Sequence, residues 1–283
     1  MDQQARLYRV AAPLLINGNE LCPQHARNLL GFTAKNRYSY TEGFADVASS
    51  ALGLEERLHV MNVLPGSGAE TAGLRQGDAL FAVEIEPLPQ GPNAESASAS
   101  IIGTELRGRN SVSLTVLRGG ERVAHNITLT PACAMVIDLG NADVAGSFAD
   151  GQRVMVTRGL LEAAPSDDEL AYVLAREIAH NILAPQPRPA QAAIIDRLHT
   201  LTPLPGDAAN AASLAPTSPE QELRARKLAL YLLARAGYAI DKAPGFWQTI
   251  AIPPASPESP AVLAQAIGAI AARKQLGAPL VPE

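Results

Sequence analysis

The acid–base and metal-binding chemistry open to this chain is concentrated in Arg176-Glu177-Ile178-Ala179-His180 and in Glu222. A carboxylate can serve as a general base, and an imidazole can carry a proton or bind a metal. Glu177 and His180 are three residues apart, so a helix places them on one face. Arg176 is the discordant member, because a guanidinium has no lone pair to donate and stays protonated at any relevant pH. Acids on an ordinary helix are usually just solvated, so the meaning of these residues depends on the frame that holds them. His25, His59, His125 and His199 show no ligand spacing and read as surface or structural residues. The two cysteines, Cys22 and Cys133, are too few for a cysteine-rich zinc site or a disulfide scaffold.

The elements that must position these residues can be read in outline. Residues 1–28 read as a helix, with apolar positions at Leu7, Val10, Leu14 and Leu15. A short amphipathic segment follows at 44–54, then strand-like runs at 58–63 and 79–85. Between these runs, 69–74 is a short helical turn. Residues 86–98 are rich in Pro, Gly, Ser and Ala and read as a loop. Residues 112–118 and 122–130 alternate around Gly119-Gly120, a hairpin signal. The second half changes character. After strand-like runs at 135–139 and 153–157, Asp167 and Asp168 open a long helix that runs to about Leu183. Residues 201–219 read as a loop, 220–236 as a helix ended by Gly237, and 261–275 as a final helix. The prolines of 253–260 exclude helix there.

The 283 residues suggest about two domains. A hydrophobic share of 47% allows real cores. The net charge of -5, with no basic run, argues against nucleic acid as a partner. No apolar stretch approaches the roughly 18 residues of a membrane span. The first apolar run, 7–16, carries Arg9 and lacks the layout of a signal peptide. The expectation is therefore a cytosolic chain or a mature exported chain without its leader.

Val63-Leu64-Pro65-Gly66-Ser67-Gly68-Ala69-Glu70-Thr71-Ala72-Gly73-Leu74, continuing to Gly77-Asp78, resembles the central signature of bacterial PDZ domains. Leu30-Gly31-Phe32 resembles the carboxylate-binding loop of that family. The resemblance covers about 28–132. It implies that backbone N–H groups of this loop hold a peptide C-terminus while the peptide adds to the sheet edge.

A second resemblance spans about 135–283. Val156-Thr157-Arg158-Gly159-Leu160-Leu161, Leu174-Ala175-Arg176-Glu177-Ile178-Ala179-His180-Asn181, Glu222-Leu223-Arg224-Ala225-Arg226 and Phe246-Trp247 look like the core of an M48 zinc metallopeptidase. Such a helix carries His-Glu-x-x-His, in which two histidines bind zinc and the Glu is the general base. The resemblance makes Glu177 the vestigial base and His180 and Glu222 vestigial metal ligands. Arg176 stands where the first histidine belongs. Arg226 replaces an Asp that the family uses to support a ligand. Pro253 and Ser259 fall where a His-Pro-x-x-x-x-Arg motif is expected, and Gly146-Ser147 where an Asn-Ala pair is. Zinc is therefore not expected, and Arg176, with Arg226, is expected to pair with Glu222 and Glu177 in its place.

The expected fold class is α+β. It comprises a mostly helical zincin-like M48 domain (133–283) with a small sheet, an N-terminal helix (1–27) packed on it, and an inserted β-rich PDZ domain (28–132). A Cys22–Cys133 disulfide would tie the ends of the insert to the scaffold. Such PDZ-bearing M48 proteins are exported in bacteria, which implies a periplasmic setting; two free thiols in a cytoplasmic protein are the alternative. The expected function is that of an inactive M48 homologue, a pseudopeptidase. It would bind peptides or a partner protein through the PDZ loop and the vestigial cleft, in envelope protein quality control or regulation. The alternatives are an active zinc endopeptidase with a non-standard metal site and a structural subunit of an envelope complex.

Overall fold

The computed structural model describes residues 2–40, 42–184, 218–249 and 259–282. The elements run α1 Asp2–Asn17, β1 Ala26–Leu29, β2 Phe32–Lys35, α2 Glu42–Leu52, β3 His59–Val63, α3 Gly68–Thr71, β4 Ala79–Val83, β5 Glu86–Pro87 and α4 Ala94–Glu105. They continue with β6 Ser111–Arg118, β7 Glu121–Thr128, β8 Thr130–Cys133, β9 Val136–Gly140, β10 Ser147–Ala149, β11 Arg153–Thr157, α5 Arg158–Ala163 and α6 Asp167–Leu183. The remaining described helices are α7 Pro219–Ala236, α8 Ala243–Thr249 and α9 Ser259–Gln275. The class is mixed α+β. The described residues fall into two compact units, Arg27–Pro131 and the chain up to Ala26 joined with that from Ala132 on.

The Arg27–Pro131 unit is built on a sheet of order β2-β3-β4-β6-β7, with β5 paired to β4. Its core gathers Leu30, Phe32, Val60, Leu80, Val83, Ile102, Leu114, Val116 and Ile127. The β6–β7 hairpin turns at Gly119 (φ 60°) and Gly120 (φ 88°). Two successive positive φ values are what a tight primed turn needs. Asp78, 2% exposed, accepts from Arg118 Nε at 2.7 Å and from the Arg75 N–H at 2.8 Å, while Arg118 also donates to the Gly73 carbonyl. This network fixes the Gly-rich segment against the sheet. Burial pushes the Asp78 carboxyl up, but the Arg118 and Arg75 hydrogen bonds and the Arg118 charge outweigh it and hold the group below its usual value.

In the other unit, β9 and β11 run parallel and β10 is the antiparallel edge, giving the order β10-β11-β9. Helix α6 packs on α7, α1, α8, β10 and β11. Arg6 of α1 bonds Asp167 and also donates to the carbonyls of Leu161, Ala164 and Ser166. It therefore closes the C-terminal end of α5 and the entry of α6 in one contact. Cys22 and Cys133 are fully buried and form a disulfide.

Several sequence readings need correction. The first helix stops at Asn17, not 28. The chain turns at Gly18, where a Cβ would meet the Leu14 carbonyl at 2.3 Å and Leu232 at 2.7 Å so that glycine fits, and becomes β1 at Ala26. The stretch expected as a loop over 86–98 contains β5 and the start of α4. Its Ala- and Ser-rich composition hid a helix that is positioned by burial of Ala94, Ser98 and Ile102 at four-residue spacing. Pro219 begins α7 after the Ser218 cap, and Pro260 lies in the first turn of α9, where a missing N–H costs nothing. Most of 201–219 and of 253–260, with His199 and Pro253, lies outside the described residues.

The disulfide closes a loop with a sequence separation of 111. A closure of that length is worth about 4–5 kcal/mol in the chain-entropy treatment. The C22S/C133S variant should lose stability of that order in urea denaturation. The wild-type chain, denatured without reductant, should titrate no thiols.

Candidate functional site

Two well-capped helices present the site. Ser166 caps α6 by accepting from the Glu169 N–H, while Glu169 bonds back to Ser166. Ser218 and Gln221 make the same reciprocal box on α7. Glu222 thus stands in the first turn of α7, where the helix dipole favours an acid. Arg176, Glu177 and His180 come from the middle and end of α6, which packs along α7.

Glu222 is 1% exposed and accepts from three side chains. Arg176 donates to it through Nε at 2.7 Å and Nη2 at 2.6 Å, taking both oxygens in a fork. Arg226, one turn further along α7, donates through Nε to Oε1 at 2.6 Å. His180 faces Oε2 through Nε2 at 3.0 Å, and a ring nitrogen opposite a carboxylate oxygen carries the proton. The third guanidinium nitrogen of Arg176 donates to Glu177 Oε1, which also accepts from the Ser147 hydroxyl of β10 at 2.7 Å. The Arg226 guanidinium lies 5.8 Å from the ring centre of fully buried Trp247, whose Nε1 donates to the Tyr172 carbonyl at 3.0 Å. Asn181, also fully buried, pins the β10–β11 turn to α6. It accepts from the Gly151 N–H at 2.6 Å and donates to the Arg153 carbonyl at 3.0 Å.

Burial would raise the Glu222 carboxyl. The hydrogen bonds from His180, Arg176 and Arg226 and the Arg176 charge overcome it and hold the group far below the carboxylate range. Burial would likewise lower Arg176, but the Glu177 and Glu222 charges and their hydrogen bonds raise it above its usual value. The cluster is therefore two guanidinium cations facing two carboxylates.

A zinc centre needs three or four free lone pairs in tetrahedral array. Here each Glu222 oxygen already accepts two donors, His180 Nε2 carries a proton, and Glu177 Oε1 is shared between Ser147 and Arg176. Two cations already balance two acids. Among the described residues no group of three or more His, Cys, Asp or Glu side chains could hold a metal ion. The residues present do not fit zinc.

The structure brings together Arg176, Glu177, His180, Glu222 and Arg226. Ser259 is the first residue of α9, and Gly146 donates its N–H to Thr157 Oγ1 at 2.9 Å. In the other unit, Leu30 and Phe32 are core side chains, and Gly31 sits at φ 89°, where a Cβ would lie 2.2 Å from Ser67 Cβ. Any ligand contact by that loop therefore falls to its backbone. Ser147, Asn181 and Trp247 fall at motif positions of the M48 resemblance, but their contacts with Glu177, the β10–β11 turn and Arg226 were not foreseen, because each acts through a partner distant in the chain.

With the geometry described, the similarities to known proteins can be placed on it. Residues 116–184 match the model of peptidase family M48. The match takes in Arg176, Glu177 and His180, ends before Glu222, and covers less than half of the chain. Among solved structures, the HtrA3 PDZ domain bound to a phage-derived ligand is similar at 18% identity, over 38% of this chain and 89% of that chain, with a TM-score of 0.29. The HtrA-type protease AlgW with a decapeptide is similar at 24% identity, over 38% of this chain and 30% of that one, with a TM-score of 0.28. The chain thus spans about a third of AlgW's length. No curated protein gives a significant match.

A carboxylate with a depressed folded-state pKa adds stability above its unfolded value, and that contribution is lost as the pH falls. For Glu222 the loss should begin near the ordinary carboxylate range, about pH 4.3, and continue into stronger acid. E222Q leaves two buried guanidinium groups short of a counter-charge and should cost about 3–5 kcal/mol at pH 7. Urea unfolding at pH 7 and pH 3.5 checks both, because the gap between wild type and E222Q should narrow in acid.

Proposed function

We propose that this chain is a catalytically inactive, metal-free relative of the M48 peptidases that binds peptides or a partner protein. The observation that carries the reading is the fork of Arg176 on Glu222 with its third nitrogen on Glu177. The groups that would serve as base and ligands in a zincin-like site are engaged with cations of the protein itself. A water molecule in such a cluster meets no Lewis acid, and the carboxylate of Glu177 is held by Arg176 and Ser147.

Two edges support binding without catalysis. β2 is an outer strand of the larger sheet and begins at Phe32, directly after Leu30-Gly31, and β10 is an outer strand of the β10-β11-β9 sheet. Outer strands offer backbone N–H and C=O groups to an extended chain. The disulfide suits an oxidising compartment. No described helix is long and apolar enough to cross a membrane. We assign the protein to the periplasm or another exported setting, in envelope protein quality control or regulation, with no nucleic-acid partner.

Purified protein is expected to hold well under 0.1 zinc per chain by elemental analysis and to leave an unfolded casein substrate intact, with or without chelator. Stoichiometric zinc with chelator-sensitive cleavage would overturn the reading. For the binding role, a peptide with an apolar C-terminal residue and free carboxylate should bind at least about tenfold tighter than its C-terminal amide. Equal fluorescence anisotropy curves for the two peptides would remove the loop from the proposal.

A further inference from the structure

Two arginines, Arg176 and Arg226, each donate to Glu222. We infer that Arg226 alone is sufficient to keep a divalent cation out, so that repairing position 176 does not restore a metal site. This inference rests on the metal-free reading above and concerns only which residues enforce it.

The geometry separates the two arginines. Arg176 is delivered by α6 and spans Glu222 and Glu177. Arg226 is delivered by α7 itself, four residues from Glu222 on the same helix, and is 4% exposed. Its guanidinium is placed against Trp247, which is fully buried and anchored to the Tyr172 carbonyl. None of those supports involves Arg176. Removing the Arg176 guanidinium therefore leaves the Arg226 cation fixed on Glu222 Oε1 at 2.6 Å.

With R176H in place, two imidazoles four apart on α6 and the Glu222 carboxylate would supply the donor types a zinc ion takes. The ion would still have to approach the same carboxylate that holds Arg226. In a buried site of low effective dielectric, a dication and a fixed guanidinium a few ångströms apart repel by several-fold more than they would in water. The oxygen shared with Arg226 also has less electron density to give a metal. Arg226 is kept near Glu222 by their shared helix, with the Trp247 ring centre 5.8 Å from its guanidinium.

Zinc and cobalt binding to R176H, R176H/R226Q and R176H/R226K decides the matter, with titration calorimetry and the visible absorption of bound cobalt as readouts. Gln keeps a hydrogen-bond donor beside Glu222 without the charge, and Lys keeps the charge. R176H and R176H/R226K should show no tetrahedral cobalt band and no zinc uptake. R176H/R226Q should bind zinc at least about 100-fold tighter than R176H. Tight zinc binding by R176H alone overturns the inference while leaving the metal-free wild type intact. Failure of R176H/R226Q to bind better than R176H overturns it too. If that double variant does not fold by circular dichroism, R176H/R226M, with an apolar side chain against Trp247, makes the same comparison. Zinc bound by the wild type would instead defeat the underlying reading.

Discussion

Glu222 is a fully buried carboxylate that accepts four hydrogen bonds from Arg176, Arg226 and His180. Burying such a group in isolation costs several kcal/mol or forces it to protonate. Here the surrounding donors keep it ionised. The cost is offset only while α6 and α7 stay in register, because Arg176 and His180 belong to one helix and Glu222 and Arg226 to the other. The cluster thus acts as an electrostatic clasp at the centre of its unit. The clasp constrains its neighbours as well: Ser147 reaches Glu177 from the edge strand β10, and Asn181 fastens the turn of the same hairpin to α6. The hairpin is therefore held to α6 at both ends.

A metal ion in such a position would draw ligands from both helices and bind them together. Arg176 performs the same mechanical task with different chemistry, reaching from α6 to Glu222 on α7, while Arg226 adds a second counter-charge from α7 itself. Both guanidinium groups are donors only and have no vacant orbital to polarise a water or a carbonyl.

Much of this was legible in particular residues. Asp167 and Asp168 ahead of an apolar run marked α6, which ends at Leu183 as read, and the structure adds the Ser166–Glu169 capping box. Gly119-Gly120 marked its hairpin because only glycine takes two successive positive φ values without strain. The pairing of Arg176, with Arg226, to Glu222 and Glu177 was expected only within the M48 resemblance, which brings these residues to one site where buried acids need a counter-charge. Other features were hidden. The Ala- and Ser-rich α4 has weak periodicity and gains its place from burial against the sheet. The end of the N-terminal helix at Asn17 is not marked locally, and the need for glycine at position 18 depends in part on Leu232, far along the chain.

Residue types and short spacings marked the Gly119-Gly120 hairpin, the runs of α6 and α7, and Arg176 as the discordant member of the cluster. These are local properties, set by residue type and by spacing within a few positions. Packing of whole elements established that Arg176 takes both oxygens of Glu222, that Ser147 shares Glu177, and that Arg226 lies beside Trp247. Those contacts join residues 30 to 46 positions apart, or lie on a third helix. Their geometry depends on how whole elements pack, and no local pattern encodes it.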